Sequence, residues 1–201
     1  MTTDIKIIED FVKNSNWIEG IYDESGVEWF DHLDTAMYIE KEANETKKIL
    51  HPLHIHAMLM KNILKYPGLY RHVQVYLTNT NDRHQPIKTE LVEKNMQIWF
   101  ESLKNDLISM HKLKEEKQLK NEDVEKVAWH YHHWFESTHP FIDGNGRTGR
   151  LILNNIRRSF DLDWLIIKGT PWYDVILIKE HKDYYDSIKK WRRKNNNLLL
   201  V

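Results

Sequence analysis

Apolar residues recur at helical spacing along most of this chain. Ile5, Ile8, Phe11 and Val12 share one face and predict a short amphipathic helix. A second helix is expected over about residues 31–44. His51-Pro52 opens a third, with proline at a tolerated first-turn position. It is expected to reach Lys65 and to stop before Tyr66-Pro67-Gly68. The rhythm then changes. Residues 70–77 alternate around Val73, Val75 and Leu77, which predicts a strand. Asn79-Thr80-Asn81-Asp82 is turn-rich, and residues 85–88 predict a returning strand. Helical spacing resumes from Thr89 to about Leu113, with room for a break. The clearest pattern follows. Asn121 suits an N-cap, Glu122 and Asp123 suit the first turn, and Val124, Val127, Ala128, Tyr131, Trp134 and Phe135 share a face. Ile152, Ile156 and Phe160 mark a further helix, and Tyr184, Ile188 and Trp191 a last one.

Between the two clearest helices lies His139-Pro140-Phe141-Ile142-Asp143-Gly144-Asn145-Gly146-Arg147-Thr148-Gly149-Arg150. These twelve residues hold a base, a carboxylate, an amide and two arginines around glycines. The inventory suits a nucleoside triphosphate on a metal ion, with a proton removed beside it. The backbone amides at a helix start attract anions through unpaired N–H groups and the helix dipole. Glycines allow a tight loop and a close approach of phosphate. Arg147 and Arg150 offer planar forks for phosphate oxygens. Asp143 is the hard oxygen ligand that Mg²⁺ prefers. His139 can take a proton near neutral pH.

The segment resembles the signature of the Fic domain family, and every fixed position of that signature is matched. Similarity extends from about Leu53 through Trp191. The resemblance implies an all-α Fic fold: a helical bundle around a central helix–anion-binding loop–helix, with a short β-hairpin flap. It implies one domain over residues 1–201, a flap over 70–88 and a catalytic loop over 139–150. It also implies an adenylyltransferase that moves AMP from ATP to a Ser, Thr or Tyr hydroxyl of a target protein. In such an enzyme His139 would deprotonate the hydroxyl and Asp143 would hold Mg²⁺. Asn145 and the backbone of Gly144 and Gly146 would cradle the phosphates, and Arg147 and Arg150 would grip the β and γ phosphates. The target would dock at the flap by β-augmentation.

Upstream, Ser15-Asn16-Trp17-Ile18-Glu19-Gly20 resembles the inhibitory motif that accompanies many Fic domains. It ends the first amphipathic helix, so residues 5–20 would form an N-terminal inhibitory helix. The implied mechanism pairs the Glu19 carboxylate with Arg150, which draws that guanidinium away from the γ-phosphate. Otherwise Glu19 is a solvated helix-end residue followed by a glycine cap.

Composition narrows the picture further. The 201 residues can bury a sizeable core. A net charge of −1 points to neither nucleic acid nor a membrane surface. Zero cysteines exclude a disulfide framework and cysteine metal sites. No signal peptide or membrane span is apparent, so a cytoplasmic protein is expected. A homo-oligomer is compatible with all of this. The histidines at 51, 54 and 56 and at 130, 132 and 133 lack companions for a zinc site, and are read as surface or core-edge residues. The tryptophans are read as mostly core, the basic run 189–194 as a solvated helix end. Two other activities stay open: AMP removal or another phosphate-linked transfer on the same fold, and nucleotide binding without turnover.

Overall fold

A computed structural model of the chain describes residues 3–77, 85–169 and 179–199. Eight helices account for the regular structure of those residues: α1 (Ile5–Ile18), α2 (Val27–Glu45), α3 (Pro52–Leu59), α4 (Thr89–Glu115), α5 (Asn121–Thr138), α6 (Asn145–Ser159), α7 (Lys179–Lys194) and α8 (Asn196–Leu199). The fold is all-α among the described residues, as expected. None of these helices is long and apolar enough to cross a membrane.

Helix α6 is the axis. It packs against α5, α2, α3 and α1, and nearly every residue from Arg147 to Phe160 is buried. The predicted face of α5 meets it: Val124, Ala128, Tyr131, Trp134 and Phe135 are buried, at about 1.5–3 kcal/mol for each large side chain. Most polar residues of α6 are also inside, and several of them find partners there. Asn154 accepts from Leu165 N at 2.7 Å and donates to Leu165 O. Asn155 accepts from Leu50 N at 2.8 Å. Arg158 meets Glu40 of α2 at 2.7 and 2.9 Å, and Arg157 meets Glu125 of α5. Buried polar groups are tolerated when bonded in this way.

Several expected boundaries shift. Helix α3 ends at Leu59, short of Lys65, because Asp31 of α2 accepts from the Asn62 N–H and side-chain amide and holds 60–63 in turns. Helix α4 runs unbroken for 27 residues. Lys120, rather than Asn121, takes the N-cap position of α5. The C-terminal residues dock: Leu199 is buried, and Asn95 of α4 donates to Leu198 O at 2.7 Å.

The expected β-hairpin is not seen among the described residues. Residues 70–77 and 85–88 carry no strand, and the turn at 79–82 lies outside the described residues. Arg71 takes the place of a ladder. Its guanidinium donates to Val73 O, Ile87 O and Thr89 Oγ1 at 3.2, 2.5 and 2.8 Å. Gln74 adds a bond to Pro86 O. One side chain thus joins the two arms where backbone pairing was expected, and Pro86 has no N–H to offer a ladder.

Candidate active site

Helix α5 delivers His139 to the start of the loop. His139 sits in the left-handed region, φ 51° and ψ 62°, with its N–H on Phe135 O. Such backbone is uncommon outside glycine, though histidine tolerates it better than most residues. The conformation turns the chain sharply out of α5. The loop is then fastened from inside. Asn145 accepts from Phe141 N at 2.8 Å and donates to Phe141 O at 2.9 Å. The Asn145 amide therefore shapes the loop. Gly144 begins α6 at φ 74°, and a Cβ there would lie 2.8 Å from Met60 Sδ. The positive φ favours glycine here, and the Met60 thioether fills the space a side chain would take.

Three residues that the sequence did not assign to the site brace this loop. His56 stacks on Phe141 with centroids 3.7 Å apart, lies 3.1 Å from Asp143 O, and accepts from Gly68 N at 2.8 Å. Burial pushes its pKa down to about 4, so the ring is neutral. His132, also buried, lies 2.8 Å from Gly149 O and 3.1 Å from the Tyr184 hydroxyl. These two are internal struts, not the surface or core-edge histidines expected. Arg71 donates from Nε to His139 O at 2.8 Å, and its backbone N–H donates to Pro140 O at 2.8 Å. A lone arginine in an alternating segment carries no signal for that role.

The chemistry-bearing side chains converge at the α6 N-terminus. His139 is half-buried, and desolvation pushes its pKa down to about 4 against the opposing pull of Glu19. The imidazole is therefore neutral at pH 7 and able to accept a proton. The Asp143 residue is exposed, and one carboxylate oxygen accepts from Gly144 N at 2.6 Å. No group of three His, Cys, Asp or Glu side chains able to hold a metal forms among the described residues. Asp143 is the loop carboxylate that could hold Mg²⁺, with substrate phosphates and water completing the shell.

Both arginines are buried and both meet a carboxylate. Arg147 lies 3.0 Å from Glu28 of α2 and touches Met60 Sδ at 3.7 Å. Arg150 donates to Glu19 at 2.6 Å and to Ser15 Oγ and Ser15 O at 2.9 Å each. Burial alone would lower the Arg150 pKa, but Glu19 together with Tyr184 and Tyr185 more than offsets this and the net shift is upward. Glu19 is the C-cap of α1, and its Oε1 occupies the space where a Cβ on Gly146 would stand. The structure thus brings all the expected site residues, Ser15 and Glu19 included, to one place. Glu28 and Glu136, whose Oε1 is buried, were not anticipated.

These features agree with comparisons to known proteins. The chain belongs to the Fic/DOC family, whose family model matches residues 49–156. Members of this family are commonly transferases, and membership often goes with AMPylation or other nucleotidyl transfer. Among solved structures, the chain is similar to a Fic domain containing signaling protein from Bacteroides thetaiotaomicron. Identity is 18%, the TM-score 0.68, and the match covers 92% of this chain and 72% of that one. It is similar to a Fic family protein from Desulfovibrio desulfuricans at 19% identity and TM-score 0.61, over 94% of this chain and 58% of that one. It is also similar to Fic-1 from C. elegans at 18% identity and TM-score 0.62, over 98% and 58%. At these identities the likeness shows the fold, and the chain spans little more than half the length of the last two proteins. No curated protein sequence matches the chain.

Proposed function

We propose that this chain is a protein adenylyltransferase held inactive by Glu19. The observation that carries the reading is the convergence of a neutral His139, the Asp143 carboxylate and two buried arginines at one helix start, with Glu19 on Arg150. A target hydroxyl placed beside His139 would lose its proton to the imidazole as its oxygen attacks the α-phosphorus of ATP. The bond to the bridging oxygen of the β-phosphate breaks, and pyrophosphate leaves. Negative charge grows on the β side, where Arg147, Arg150 and the α6 amides would bind it more tightly in the transition state than in the ground state. Mg²⁺ held by Asp143 would neutralise phosphate charge. The arms 70–77 and 85–88, tied by Arg71, would support the target segment.

While Glu19 occupies Arg150, the γ-phosphate loses its fork. ATP then binds with the α-phosphorus displaced, and a misplacement of about 1 Å costs roughly a hundredfold in rate. A second reading is AMP removal, favoured by one observation: the Glu19 carboxylate reaches the loop itself, beside Gly146, where it would orient a water. Labelled ATP separates the outcomes. With Mg²⁺, label should pass to protein from α-labelled ATP and not from γ-labelled ATP. Transfer from the γ position alone would sink adenylylation. Release of AMP from a pre-modified target, lost in Glu19→Gly, would establish the reverse reaction.

A further inference from the structure

Beneath the arginine that Glu19 holds lies a second carboxylate. Glu136 is on the last turn of α5, three residues before His139. Its Oε1 is buried and has no hydrogen-bond partner among the described residues. It lies against the α6 backbone at Gly149, in the space where any Cβ would collide with it. Glycine at 149 is therefore what admits this carboxyl group. The two glycines one turn apart on α6 do parallel jobs: Gly146 leaves room for Glu19, Gly149 for Glu136, with Arg150 beside both. Arg150 faces Glu136 from α6, Glu19 faces it from the end of α1, and Tyr184 and Tyr185 face it from α7. On its own helix, His133 and the chain at His139 flank it in sequence.

We propose that Glu136 is a positioning residue for Arg150: a reserve carboxylate that takes the guanidinium when Glu19 leaves. The proposal rests on the reading of Glu19 as a latch, and follows from charge accounting in a buried cluster. The arginine is permanently charged, and a buried charge without a partner is strongly disfavoured. In the latched state Glu19 balances Arg150. A second ionised carboxylate would be in excess, and Glu136 keeps its proton. Burial, reinforced by the nearby Glu19 charge, pushes its pKa up to about 8 against the opposing pull of Arg150. When Glu19 withdraws, its raising influence disappears and that of Arg150 remains. The O–H bond of Glu136 then breaks, the proton passes to solvent, and the carboxylate balances the guanidinium from the Gly149 side. The opposite side of the fork is left for phosphate. Latching therefore takes up a proton, so low pH favours the latched state and high pH favours release.

The test reads the carboxyl directly. In protein carrying ¹³C-labelled glutamate, the assigned Glu136 carboxyl should titrate near pH 8 in the wild type. In Glu19→Gln its midpoint should fall by roughly a pH unit or more, as expected when a neighbouring like charge is removed. Titration of wild-type Glu136 in the ordinary carboxylate range, or an unmoved midpoint in Glu19→Gln, would overturn the proposal. Neither measurement needs nucleotide or target, so it stands apart from the success or failure of the adenylyltransferase reading. A second arm uses turnover. Transfer by Glu19→Gly should rise with pH across the Glu136 midpoint, and Glu19→Gly with Glu136→Gln should lose that rise. A pH profile identical in the two proteins would overturn the positioning role. If the double variant does not fold, the titrations decide alone.

Discussion

Arg147 and Arg150 stand one turn apart on the same helix, yet the fold treats them differently. Arg150 is bonded at Nε and Nη2 to three acceptors, all from the end of α1. Arg147 meets one carboxylate on α2, which is partly exposed, and a thioether, and its Nε is buried without a partner among the described residues. Arg150 is locked, while Arg147 has donor capacity to spare. On the proposed function, this difference would place the control of the site on one arginine. The α1 end would have to move for Arg150 to serve a phosphate, whereas Arg147 would bind an anion with α2 in place. Buried donors without partners are uncommon in folded proteins and suit a group that awaits a ligand.

The largest effect expected lies outside both arginines. His139→Ala should lower transfer by about 10²–10⁴, the usual range for a lost general base, while ATP binding measured by calorimetry is retained. Near-normal turnover would show that the arginine contrast concerns binding alone. Next comes the latch. Glu19→Gly should raise modification by about a hundredfold at saturating ATP, and adding Arg150→Ala should abolish the gain. Equal activity of wild type and Glu19→Gly would reduce Glu19 to a helix-end residue and remove the distinction between the two arginines. Ser15→Ala leaves Arg150 Nε unbonded in a buried site, and should cost about 1–3 kcal/mol in denaturant unfolding. The smallest effect belongs to the other arginine. Glu28→Gln weakens a partly exposed pair and should cost less than about 1 kcal/mol, with a change in transfer far below that of Glu19→Gly. A Glu28→Gln variant as active as Glu19→Gly would show that both arginines are latched.

The loop and the flap segment differ in how far their sequences could be read. Residues 139–150 carry their own structural chemistry. The Asn145 amide closes on Phe141 four residues away, and Gly144 takes a positive φ that few other residues accept. Local bonds of this kind travel with the motif. Residues 70–88 alternate as a strand should, but alternation says only that two faces differ. The arms are instead joined through Arg71, whose side-chain partners lie up to 68 positions away. Short-range periodicity holds no information about that.

Helix α6 shows the same division. Its sequence is polar enough that Asn154, Asn155, Arg157 and Arg158 would be assigned to solvent, but all four are buried. They are stable there because the bundle brings Leu165, Leu50, Glu125 and Glu40 within bonding distance. Likewise Glu136 reads as one more charge on α5, and its pKa is pushed up because burial and the Glu19 charge outweigh the pull of Arg150. The residue types that can accept a proton, bind phosphate and cap a helix were legible in the chain, because those capacities belong to single side chains and short backbone turns. Which carboxylate meets which arginine, and which of them keeps its proton, depends on burial and on neighbours distant in sequence, and so was decided by the packing of the bundle.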